Sequence, residues 1–69
     1  MTQDYIKLDQ FLKVAQVAAS GGEAKMIIRE GIVNVNGEME LRRGRKLYDK
    51  DIVTVDDMSF VVELTADNR

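Results

Sequence analysis

From Leu8 onward the apolar positions recur three and four residues apart: Leu8, Phe11, Leu12, Ala15 and Ala19, with Val14 and Val17 widening the stripe. That spacing puts them on one face of an α-helix. A stripe this broad predicts a helix covered on more than one side, ending near "ASGG" at 19–22. "SGGE", Ser20 to Glu23, then has the form of a capping box. The Ser20 hydroxyl accepts from an amide of the opening turn while Glu23 reaches back to the Ser20 amide. A second helix follows, with Ala24, Ile27 and Ile28 on its buried face and Lys25 and Arg29 one turn apart on the other. Gly31 suits the left-handed residue after its last turn.

After Gly31 the period drops from about four to two. "IVNVNGEMEL" alternates, with Val33 and Val35 on one side, and Asn36-Gly37 is a hairpin-turn signal. "DIVTV" alternates again around Ile52, Val53 and Val55, and "SFVVEL" supplies a last strand after an Asp56-Asp57 turn. Tyr5 and Ile6 are expected to form a short edge strand, and the tail "TADNR" to be loose. Two helices followed by a small, mostly antiparallel sheet make an α+β fold. One domain over residues 1–69, with its core at about 5–64, is expected from the length and from the absence of any linker or repeat.

Composition removes several function classes. With neither cysteine nor histidine, the chain has no disulfide framework, no thiolate or imidazole metal ligand and no histidine general base. No apolar run approaches a membrane span, and the start lacks the basic-then-apolar form of a signal peptide, so a cytoplasmic location is expected. Asp49, Asp51, Asp56 and Asp57 fall where turns are expected, and aspartate favours turns through its own backbone bonds. No nucleophile–base pair accompanies them, so neither catalysis nor a metal or other cofactor is expected. Met26, Met39 and Met58 read as core filler.

Charge by segment says more than the net −2. Residues 1–40 carry four cations against six acids, and 51–69 carry one against five. Between them, "LRRGRKLYDKD" holds Arg42, Arg43, Arg45, Lys46 and Lys50, half of the chain's ten cations, against Asp49 in residues 41–50. A basic island in an acidic chain suits an anionic partner. The alternative is a solvated edge strand, where cations discourage sheet-to-sheet pairing. Lys25 and Arg29 have an equally plain alternative in pairing with Glu30 or other helix neighbours.

The ordered set "KLDQFL" (7–12), serine at 20, "AK" (24–25), "IIREGIVNVNG" (27–37), the basic stretch and "DIV" (51–53) resembles the RNA-binding domain named after small-subunit ribosomal protein S4. The likeness covers roughly residues 5 to 64; "SGGEAK" with "RRGRKLY" is most similar to the short stand-alone members, the YaaA/YbcJ-like proteins. It implies a monomeric, non-enzymatic module that binds structured ribosomal or ribosome-associated RNA, with ribosomal particles as a further partner and no membrane. The face it implies comprises Lys7, Ser20, Gly21, Gly22, Lys25, Arg29, Asn36, Arg42, Arg43, Arg45 and Lys46. Two positions depart from the family pattern. Gly21 stands where many members have arginine, and Lys50 where many have glycine.

Phosphates at that face would meet the open amides and the positive dipole end of the second helix, with Gly21 and Gly22 leaving the backbone approachable. Amide contact would then stand in for the missing arginine charge. Arginine forks from the basic stretch supply the rest. Tyr48 is the only aromatic near the island in sequence, so no stacking platform is expected. Two rival readings remain. A protein-interaction module would dock through the acidic carboxyl half and the basic loop; a binder of duplex DNA would need a helix-turn-helix recognition pattern that the chain lacks.

Overall fold

The computed structural model describes residues 4–64. In chain order the elements are β1 (Ile6–Lys7), α1 (Leu8–Val14), α2 (Gly21–Arg29), β2 (Val33–Val35), β3 (Glu38–Met39), β4 (Lys46–Leu47), β5 (Ile52–Val55) and β6 (Met58–Val61). β3, β2, β5 and β6 form one antiparallel sheet in that order, and β1 pairs with β4 in a separate antiparallel ribbon. This is the expected α+β class. The expected loose tail, 65–69, lies outside the described residues. No helix among the described residues is long and apolar enough to cross a membrane.

The alternation read from the sequence sets the inner face of the larger sheet. Val33, Val35, Val53 and Val55 are buried there and join Leu8, Phe11, Leu12, Ala24 and Ile28 from the helices in one apolar cluster. Phe11 meets Phe60 edge-on, with ring centroids 6.4 Å apart, the arrangement the aromatic quadrupole favours. At the β2–β3 turn Asn36 and Gly37 have φ of 54° and 87°, the left-handed pair of a type I′ hairpin.

α2 begins and ends as its sequence predicts, with one change of partner. Ser20 Oγ accepts from the Glu23 amide at 3.2 Å, but the Glu23 carboxylate accepts from Ala19 N–H at 2.6 Å, not from Ser20. Gly31, at φ +78°, closes the helix, and a Cβ there would lie 3.3 Å from Met39 Sδ. Glycine is required twice over, by backbone and by neighbour.

α1 departs from its expectation. It stops at Val14, well short of "ASGG". Gln16 turns to φ 63°, and the Val17 and Ala18 amides both donate back to the Leu12 carbonyl. The stripe read as one long helical face is therefore split. Ala18 folds inward from the loop and is buried, whereas Val14 is left 70% exposed. The methionine expectation also fails: Met26, Met39 and Met58 are all exposed, because the valines and leucines already fill the space between helices and sheet.

The aspartates act as turn formers. Asp51 Oδ2 accepts from the Tyr48 amide and Asp49 Oδ1 from the Leu64 amide, each at 2.8 Å. Between them Lys50 takes φ 78°, a conformation that costs an L-residue about 1–2 kcal/mol. Lys50, which stands where the resemblance implies glycine, adopts the glycine geometry.

Candidate nucleic-acid interface

The basic stretch is anchored at both ends. Leu47 of β4 is fully buried, which holds the ribbon to the core. At the other end Lys7, the residue that enters α1, has no capping side chain to offer. The first amides of α1 are satisfied by the basic loop instead: Leu8 N–H donates to the Arg45 carbonyl at 2.9 Å and Asp9 N–H to the Arg43 carbonyl at 3.1 Å. The loop caps the helix with its backbone, and its side chains remain available for other partners.

Those side chains are organised by Glu40. The two-residue turn at Asn36-Gly37 sets the register Val35 to Glu38 and Asn34 to Met39, and the Glu40 amide donates to the Val33 carbonyl. Glu40 thus falls opposite a buried valine and points inward, at 6% exposure. A carboxylate so placed needs donors. Arg42 supplies its amide at 3.0 Å, Nε at 2.9 Å and Nη2 at 3.2 Å, and Arg45 supplies Nη1 at 2.7 Å. The Arg42 bonds hold the Glu40 carboxyl at about 2 against the upward push of burial, with Arg45 adding to the effect. The same pairing raises the Arg42 guanidinium further above its ordinary range.

Glu40 therefore neutralises one of the four loop cations while fixing two of them. Arg42, 74% exposed, uses two of the five N–H donors of a guanidinium on Glu40, and Arg45, 29% exposed, uses one. The remaining donors are left for an outside acceptor. Arg42, Gly44, Arg45 and Lys46 line an open depression of about 550 Å³. Arg43 and Lys46 form no ion pair with any described residue. Glu40 was missed in the sequence because it reads as one more surface acid; counting the hairpin register from Asn36-Gly37 sets it opposite Val33, and only the fold shows it buried.

The other expected site residues divide into three groups. Lys7 faces Lys46 directly across the β1–β4 ribbon. Ser20, Gly21 and Gly22 are exposed at the start of α2, with no atom within 4 Å of a Cβ placed on Gly21. Lys25 and Arg29 are exposed and make no ion pair with any described residue, so the helix-neighbour alternative does not hold. Asn36 is committed to the fold: its Nδ2 donates to Asp51 Oδ1 at 3.2 Å and its Oδ1 accepts from Ile52 N–H at 2.9 Å. The structure brings Lys7, Arg42, Arg45 and Lys46 together around the start of α1. Among the described residues no hydrogen bond or ion pair joins this group to the start of α2.

The chain is a small α+β domain with a carboxylate-braced arginine loop on its first helix. Residues 1–63 match the S4 domain family, and the chain belongs to it. A Bacillus subtilis (strain 168) protein named "Probable ribosome maturation protein RlbA" is 51% identical over 53 residues, covering 77% of this chain and 75% of the relative. The crystal structure of 30S ribosomal protein S4e from Thermoplasma acidophilum superimposes with a TM-score of 0.67 over 88% of this chain at 18% identity. This chain spans 32% of that protein's length, and the likeness is one of fold.

Proposed function

We propose that the protein is a non-enzymatic RNA-binding module that works on ribosomal RNA or a ribosome-associated RNA in the cytoplasm. Family membership and the relative named as a ribosome maturation protein support the RNA and the setting. The observation that carries the reading is the Glu40 clasp. A domain of net charge −2 buries a carboxylate to hold two arginine forks at the mouth of a basic depression. Such forks match phosphate oxygens in spacing and charge.

In this reading Arg42, Arg43, Arg45, Lys46 and Lys7 contact one run of phosphates. Ser20, Gly21 and Gly22 offer backbone amides to another, with Lys25 and Arg29 beside them. Asn36 serves mainly to hold the hairpin against β5. The test is titration of total ribosomal RNA with the wild type and with an Arg42/Arg43/Arg45/Lys46→Ala variant whose fold is checked by circular dichroism. Loss of binding in the folded variant supports the reading. Equal binding by both would take the basic loop out of RNA contact and favour the rival, a protein partner docked on the acidic carboxyl half and that loop.

A further inference from the structure

The β1–β4 ribbon carries an aromatic pair that the linear order of residues conceals. Register pairs Ile6 with Leu47 and Lys7 with Lys46, so Tyr5 and Tyr48 occupy the next cross-strand positions. Side chains alternate along a strand, and Leu47 is buried beneath the ribbon. Tyr5, Lys7, Lys46 and Tyr48 therefore share the outward face. The two tyrosine rings are 6.1 Å apart and tilted by 52°, and Lys46 Nζ lies 4.9 Å from the centre of the Tyr5 ring. Tyr48 remains 43% exposed, with its backbone fixed by the turn bonds to Asp51.

Two features point to a ligand. Lys7 directly opposite Lys46 is a like-charge pair, which costs a ribbon stability that a bound anion would restore. The rings beside that pair offer a π surface next to the same anion. Cations beside an exposed aromatic, Tyr48, with half-buried Tyr5 behind it, suit a nucleotide, whose base stacks while its phosphate is neutralised.

We propose that Tyr48, backed by Tyr5, is a stacking site for one unpaired nucleobase whose flanking phosphates are held by Lys7 and Lys46. The site rests on the RNA-binding reading and narrows it: the RNA must expose an unpaired base beside the arginine loop. Tyr48→Leu removes the ring while keeping an apolar side chain, and Tyr48→Trp keeps a stacking surface. The probes are single-stranded oligoadenylate and a fully paired RNA duplex, with unfolding curves recorded for each variant. The expected result is about a tenfold weaker affinity of Tyr48→Leu for oligoadenylate, unchanged duplex binding, and wild-type affinity for Tyr48→Trp. If Tyr48→Leu binds both probes as the wild type does, or weakens both equally, the stacking site is overturned while RNA binding stands. If the wild type binds total ribosomal RNA but neither probe, the stacking site is overturned; if it binds none of the three, the RNA-binding reading fails and the stacking site falls with it.

Discussion

The Glu40 carboxylate, almost fully buried, sits 2.7 Å from Nη1 of Arg45. One buried acid holds two of the arginines that line the basic depression. The pairing has an energetic consequence and a functional one, and they separate in a single substitution.

Glu40→Gln keeps the shape of the side chain and removes its charge. It is expected to destabilise the fold by about 1–3 kcal/mol, since one of the two acceptor oxygens becomes an NH2 donor facing arginine donors and the bonds that remain are no longer charge-assisted on the acceptor side. For a domain of this size that corresponds to a fall in Tm of roughly 4–8 °C per kcal/mol. RNA affinity is expected to fall even though the net charge becomes more positive by one. Thermal unfolding and RNA titration of the variant check both, and an increase in affinity would mean that Glu40 acts only as a counter-charge.

The depressed Glu40 carboxyl also predicts a pH dependence. Its value is about 2 in the folded protein against an ordinary 4.5, so the unfolded chain binds the proton more readily. The stabilisation is complete above the ordinary carboxylate range and is lost as pH falls from about 4.5 toward about 2. Unfolding free energies measured across that window should fall more steeply for the wild type than for Glu40→Gln. Parallel curves would show that Glu40 titrates normally.

Lys50 and Gly31 test the left-handed positions in opposite directions. Lys50 has φ 78°, and its side chain makes a weak ion pair with Asp49 at 3.9 Å. Lys50→Gly relieves about 1–2 kcal/mol of backbone cost and returns about 0.5–1 kcal/mol in unfolded-state entropy, for a net gain of about 0.5–1 kcal/mol. Gly31→Ala adds a Cβ at φ +78° and 3.3 Å from Met39 Sδ, so it must destabilise. Denaturant midpoints for the two variants should move to opposite sides of the wild type.

The salt dependence of binding counts the phosphates engaged. With four to six neutralised, log K against log salt should have a slope of about −3 to −4 for single strands. Each single alanine replacement of Arg43 or Lys46, which form no ion pair with any described residue, should lower the magnitude by about 0.7. A slope near zero for the wild type would leave no role for the basic loop in phosphate contact.

What could be read directly from the residues was whatever depends on near neighbours. The Ser20 cap, the Gly31 stop, the Asn36-Gly37 hairpin and the alternation through Val33, Val35, Val53 and Val55 all rest on bonds within a few residues or on strand period. The α+β class and the basic island follow from them. The end of α1 was misread because helical spacing cannot tell a continued helix from a loop that folds Ala18 back under it. The bonds of Asn36 to Asp51 and Ile52 span some fifteen residues, so its part in holding the hairpin against β5 could not be read locally. Tertiary structure alone decided that β4 pairs with β1, which sets Tyr5 beside Tyr48 and Lys7 against Lys46. It also decided that the arginine loop caps α1, with Glu40 as its internal brace. Local chemistry determines which elements form; which distant side chains meet is settled only when burying the apolar face brings those elements together, and here that meeting shapes the candidate site.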